Sequence, residues 1–83
     1  MKLPENYESL TCVLLSHIEK EPAPHTNVML RDKLTDKIKS EEIGDLIAYA
    51  LKQNFIYVNF SEGILAYELT SRAHLYLRKN SGN

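Results

Sequence analysis

The spacing of apolar residues changes near residue 54, and this change constrains the fold more than any other feature of the sequence. Before it, apolar residues recur every three or four positions, which predicts helices over about residues 6–20, 27–34 and 40–54. After it, the segments FIYVNF and ILAYEL have a period of two, and Ser61–Gly63 between them predicts a hairpin. A final helix is predicted to end near Lys79. The order α-α-α-β-β-α predicts a small α+β domain.

Capping residues mark the ends of these predicted helices. Thr26 or Asn27 is expected to cap the second helix and Ser40 the third, because their side-chain oxygens can accept from free backbone N–H groups. Asn54 is expected to end the third helix in a left-handed conformation, which asparagine tolerates better than most residues. Thr70 or Ser71 is expected to cap the last helix.

The same periodicity predicts which side chains form the core. Val28, Leu30 and Leu34 are expected to point inward from the second helix, and Ile38 from the turn that follows it. The third helix is expected to bury a stripe of five apolar residues: Ile43, Leu46, Ile47, Ala50 and Leu51.

Composition limits the class of protein. With 83 residues, 43% of them apolar and 25% charged, the chain is expected to form a single domain over residues 1–83, with fraying at 1–5 and 80–83. No unbroken apolar run approaches the roughly 20 residues that a membrane span requires. Without a secretory apolar stretch near the start and with a single cysteine, a cytoplasmic location is expected.

No residue pattern points to catalysis. The three histidines fall in separate predicted elements, and no cysteine–histidine pair has zinc spacing, so no metal site is expected. The three glycines do not form a phosphate-binding loop. The expectation is a protein that is not an enzyme and needs no cofactor.

Two stretches resemble the winged helix-turn-helix family. RDKLTDKIKSEEIGDLIAYALKQNFI is similar to the two-helix unit of that family and its entry into the first wing strand. YELTSRAHLYL resembles a common ending of the family, with Ala73 where a glycine is usual. The resemblance covers roughly residues 7–77. It implies a three-helix core, a hairpin wing, and a third helix that lies in the major groove of double-stranded DNA.

This resemblance identifies candidate DNA contacts for a small transcriptional regulator that acts as a dimer. Phosphate contacts are expected from basic residues of the second and third helices and the turn between them: Arg31, Lys33, Lys37, Lys39 and Lys52. Residues expected to face the bases lie on the third helix: Ser40, Asp45, Ala48 and Tyr49.

The charges on the third helix oppose this interpretation. Its predicted outward residues, Glu41, Asp45, Ala48, Tyr49 and Lys52, carry two carboxylates against one ammonium, and the whole chain has a net charge of −1. The lysines of the preceding turn could form a phosphate-binding patch, or they could be a solvated surface interleaved with Asp32 and Asp36.

A protein-interaction module that does not bind DNA is therefore the alternative. Gly44 is unusual inside a helix, where it costs about 1 kcal/mol relative to alanine. With Ala48 it could form a notch for the backbone of a partner, and Tyr49 would add an amphipathic contact. Gly44 could also simply avoid a clash with the first helix. Leu75 and Tyr76 on the last helix are candidates for a homodimer or partner surface.

Overall fold

A computed structural model describes residues 3–80 of the chain. It confirms the predicted α+β layout, with four helices and one antiparallel hairpin in the described residues. The elements are α1 (Tyr7–Lys20), α2 (Asn27–Leu34), α3 (Ser40–Lys52), β1 (Ile56–Ser61), β2 (Ile64–Leu69) and α4 (Ser71–Asn80). The fraying predicted for the two ends falls partly on residues 1–2 and 81–83, which lie outside the described residues.

The core is formed by the inward faces of the four helices and the base of the hairpin. Leu14, Leu30 and Ile43 are completely buried there, and Ile38 from the α2–α3 turn joins them as predicted. The prediction for Val28 is wrong, since its side chain is 75% exposed. The inward face of α2 is set by Leu30 and Leu34, four residues apart, and a residue two positions before Leu30 points to the opposite side of a helix.

The start of α2 follows the sequence prediction, whereas the start of α3 does not. Thr26 caps α2, because its Oγ1 accepts a hydrogen bond of 3.2 Å from the backbone N–H of Met29. Ser40 was expected to cap α3 but is its first helical residue, and Lys39 precedes it with no side-chain cap. The acidic residues Glu41 and Glu42 instead compensate the positive end of the α3 dipole.

Asn54 ends α3 in the left-handed conformation that the sequence predicts, with a φ of 62°. Its N–H donates to the Leu51 carbonyl at 3.1 Å, and the next N–H, of Phe55, donates to the Ala50 carbonyl at 2.9 Å. These two bonds define a Schellman motif. The motif turns the chain directly from α3 into β1.

The hairpin is tighter than the three-residue loop expected from the sequence. Ser61 pairs with Ile64, so the turn contains only Glu62 and Gly63, with φ values of 52° and 79°. Two consecutive positive φ values are the pattern of the two-residue turn that suits the twist of a hairpin. After β2, Thr70 caps α4 by accepting from the Ala73 N–H at 3.2 Å.

Within residues 3–80, none of the helices combines the length and the apolar character needed to cross a membrane.

Candidate nucleic-acid interface

Arg31 joins α2 to α3 through contacts within the domain. Its Nε donates to Oδ1 of Asn27 at 2.6 Å, and its Nη1 donates to the backbone carbonyl of Ser40 at 2.9 Å. The guanidinium is therefore directed across the surface toward α3. This arrangement holds the two helices together and differs from the free phosphate contact expected from the sequence.

Gly44 is the residue of α3 over which the Arg31 guanidinium lies. A Cβ atom built on Gly44 would be 2.8 Å from Nη2 of Arg31. The notch expected to accept a partner backbone is thus filled by a side chain of α2. The clash that glycine avoids is with α2, and not with α1 as the alternative interpretation expected.

Tyr49 lies on the flank of α3 and packs against α1. Its ring makes an edge-to-face contact with Tyr7, with 5.4 Å between the centroids, and its side chain is only partly exposed. Burial raises the pKa of the Tyr49 hydroxyl, and nearby Tyr7 and Glu8 act in the same direction. Part of the Tyr49 side chain therefore contacts α1, and its contact with bases or a partner stays a prediction.

The other residues of α3 that were predicted to point outward are exposed or half-buried. Glu41 and Lys52 are exposed, and Asp45 and Ala48 are half-buried. We call these four residues the outer face of α3. Ser40 is exposed beside it. The outer face still carries two carboxylates against one ammonium.

The lysines before α3 are exposed and available. Lys33, Lys37 and Lys39 all lie at the surface. None of these lysines is within ion-pair distance of a carboxylate among residues 3–80, whereas Nδ1 of His74 lies 3.1 Å from Oε2 of Glu19. Asp32 and Asp36 therefore form no ion pair with these lysines in the described part of the chain.

Lys33 and Lys37 lie near the end of α1. Burial lowers the pKa of His17 on α1, and the neighbouring His25, Lys37 and Lys33 lower it further, whereas Glu21 raises it. A surface cleft beside His17 is lined by both Lys20 and Lys37. Lys20, Lys33 and Lys37 therefore lie together near the end of α1. Lys20 was not predicted as a contact, because helical periodicity does not show which end of α1 approaches α2.

The hairpin brings no lysine or arginine to this region, whereas α4 carries Arg72, Arg78 and Lys79, and Arg78 lines a cleft with Lys20. Residues 56–69 contain no lysine or arginine, and Glu62 stands at the tip. On α4, Leu75 is 61% exposed, as a dimer contact requires. Tyr76 is half-buried, with its ring 4.5 Å from that of Phe55. Burial raises the pKa of the Tyr76 hydroxyl to about 12, and the neighbouring Cys12 acts in the same direction.

No group of histidine, cysteine, aspartate and glutamate side chains in residues 3–80 has the geometry to hold a metal ion. A scan against protein-family models matched no family, and searches of curated proteins and of solved structures found no match.

Proposed function

We propose that this chain is a small winged-helix protein that binds double-stranded DNA and regulates transcription. The observation that supports the proposal is that Lys33, Lys37 and Lys39 are exposed at the end of α2 and in the turn before α3, without ion-pair partners in residues 3–80. Phosphate contacts of this kind release counterions, and they supply most of the non-specific affinity of DNA-binding proteins. The order of the elements and the two winged-helix-like sequence stretches also support this proposal.

In this proposal the basic residues have different roles from those expected from the sequence. Lysines at the end of α2 and in the following turn, with Lys20 of α1, bind phosphates. Arg31 positions α3 relative to α2 through its bonds to Asn27 and Ser40. The outer face of α3 contributes little sequence readout, because Glu41 and Asp45 repel the phosphates that flank a groove. The proposed binding is accordingly weak per domain and strongly dependent on salt.

Titration of a fluorescent mixed-sequence duplex at 50 and 200 mM salt tests this proposal. Four phosphate contacts predict that affinity falls by about 100-fold over this range. Lys33→Gln combined with Lys37→Gln should reduce the slope of log K against log salt by about 1.8. Lys79→Gln on α4 is the control and should leave the slope unchanged. Absence of binding at 50 mM salt, or equal slopes for all variants, would contradict the proposal.

A second candidate function is a protein-interaction module that docks through the outer face of α3 and does not bind DNA. The carboxylates of Glu41 and Asp45 on that face favour it, since they suit a basic partner surface better than DNA. Asp45→Lys separates the two functions. It should strengthen DNA binding by removing a repulsion and adding a phosphate contact, whereas it should abolish docking of a basic partner.

A further inference from the structure

The outer edge of β1 has no hydrogen-bonding partner in the described residues. The backbone N–H of Tyr67 on β2 points away from β1 and donates to the His25 carbonyl at 2.8 Å. Val58 is opposite Tyr67 in the hairpin register, so its backbone groups point away from β2 on the other side. The same holds for Phe60, two residues further along. Within residues 3–80 no backbone hydrogen bond reaches this edge.

This edge also lacks the features that usually protect an edge strand. The β1 sequence IYVNFS contains no charged residue and no proline, and it pairs with β2 without a bulge. Edge strands of natural proteins generally carry such features or are covered by another element, because an open edge can pair with a further strand.

The core-facing side of the hairpin remains apolar beyond the end of the core. Ile56, at the base of β1, is buried. Side chains alternate along a strand, so Val58 and Phe60 point to the same side, with Leu65 opposite Phe60. These three residues, which we call the apolar tip, are 48%, 66% and 59% exposed.

We propose that a second copy of this chain covers the β1 edge and that the two copies form a four-stranded antiparallel sheet. The two-fold axis passes through Asn59, so that Val58 pairs with Phe60 of the partner subunit. This register pairs core-facing residues with core-facing residues, and it overlaps residues 57–61 of the two β1 strands. Because β1 is uncharged, two copies meet there without repulsion between like charges on the strand.

The same two-fold symmetry determines which part of the partner subunit each apolar tip faces. The axis is perpendicular to the sheet, so the helices of both subunits lie on the same side of it. Antiparallel pairing puts the tip of each hairpin beside the base of the partner's hairpin. Each apolar tip is therefore directed toward the side of the sheet where the partner's helices pack, and it no longer faces open solvent.

The available area suits a weak dimer. A fully exposed aromatic side chain presents roughly 150–250 Å², so the apolar tip offers about 300 Å² per chain at these exposed fractions. With the backbone edges and flanking residues, the total approaches the lower limit of roughly 1,200 Å² for a standard interface. Dissociation in the micromolar range is therefore expected.

Sedimentation equilibrium of the full chain without DNA tests the dimer, and its result does not depend on the proposed function. The wild type should be dimeric at high concentration, and Phe60→Glu should raise the dissociation constant by about 100-fold, as removal of an interface anchor does. Val28→Glu, which places the same charge on an exposed residue of α2, should not change it. A wild type that is monomeric at about 500 µM, far above a micromolar dissociation constant, overturns the proposal. Full dimerisation of Phe60→Glu, with its helical circular dichroism intact, also overturns it.

Cysteine cross-linking tests the register in a Cys12→Ser background. Asn59→Cys would face its own copy in a non-hydrogen-bonded pair, where Cα atoms are about 4.5 Å apart and a disulfide can form. Ser61→Cys lies on the same side of the strand but about 13 Å from its copy at the rise of a strand. Oxidation should cross-link only the first variant. Cross-linking of Ser61→Cys alone refutes the register.

Discussion

Replacement of Gly44 by alanine tests whether the Arg31 guanidinium fills the surface of α3 at this residue. Two effects of similar size oppose each other. Alanine removes a helix penalty of about 1 kcal/mol. However, its Cβ would be 2.8 Å from Nη2 of Arg31, so the guanidinium must move. Movement would break the exposed hydrogen bond to the Ser40 carbonyl, worth about 0.5–1.5 kcal/mol, while the bond to Asn27 can persist.

The structure therefore predicts that Gly44→Ala changes the free energy of unfolding by less than about 0.5 kcal/mol in the wild type, because the gain and the loss nearly cancel. In an Arg31→Ala background there is no guanidinium to displace. The same substitution should then stabilise the domain by the full helix-propensity difference of about 1 kcal/mol. The coupling energy between the two positions should be about 1 kcal/mol, within the range of residues in direct contact.

Urea denaturation followed by far-ultraviolet circular dichroism measures the four free energies of this cycle. Differences of this size should also shift the melting temperature by about 4–8 °C in a domain of this length. The matched control is Gly44→Ala combined with Lys79→Ala, where no coupling is expected. A stabilisation of about 1 kcal/mol by Gly44→Ala in both Arg31 backgrounds would refute the proposed contact.

Three further predictions concern stability. Asn54→Ala should cost about 1 kcal/mol because alanine resists the positive φ, whereas Asn54→Gly should not destabilise; urea denaturation of both variants checks this, and equal losses would contradict it. Leu30→Ala should lower the free energy of unfolding by about 2–5 kcal/mol because it leaves a cavity, whereas Val28→Ala, at an exposed position, should change it by less than about 0.5 kcal/mol. Equal losses for the two variants in urea denaturation would contradict the burial pattern. The lowered pKa of His17 means that the unfolded state binds its proton more readily. Stability due to His17 is thus present above pH 6.5 and is lost as the pH falls below it, and His17→Gln should weaken this dependence in melts from pH 8 to 5.

The fold was predictable where a local signal and the tertiary structure agree. The change of periodicity near Asn54 predicted where α3 ends and where the hairpin begins. The asparagine itself predicted the same boundary, because the chain needs a residue there that tolerates a positive φ. Val28 and Ser40 were assigned wrongly for different reasons. Val28 lies two positions before Leu30 and therefore on the opposite side of α2, whereas α3 begins one residue earlier than expected, which makes Ser40 its first helical residue.

The candidate site was harder to predict, because its chemistry depends on contacts between elements. The charge of Arg31 is evident in the sequence, but its bonds to Asn27 and Ser40 depend on how α3 approaches α2. Tyr49 lies near the boundary between the inward and outward sides of α3, and its contact with Tyr7 determines its orientation. The approach of Lys33 to α1 likewise depends on the angle between helices, which residue spacing does not specify.

The hairpin shows the same limit most clearly. Val58 and Phe60 lie on the same side of β1 as the buried Ile56, which is the core-facing side of the hairpin. Periodicity does not show that the helices end before the hairpin does, which leaves the outer half of that side exposed. A strand that is apolar on its inner side and longer than the core beneath it requires another surface to cover it. The uncharged, unpaired edge of β1 favours a second copy of the chain as that surface.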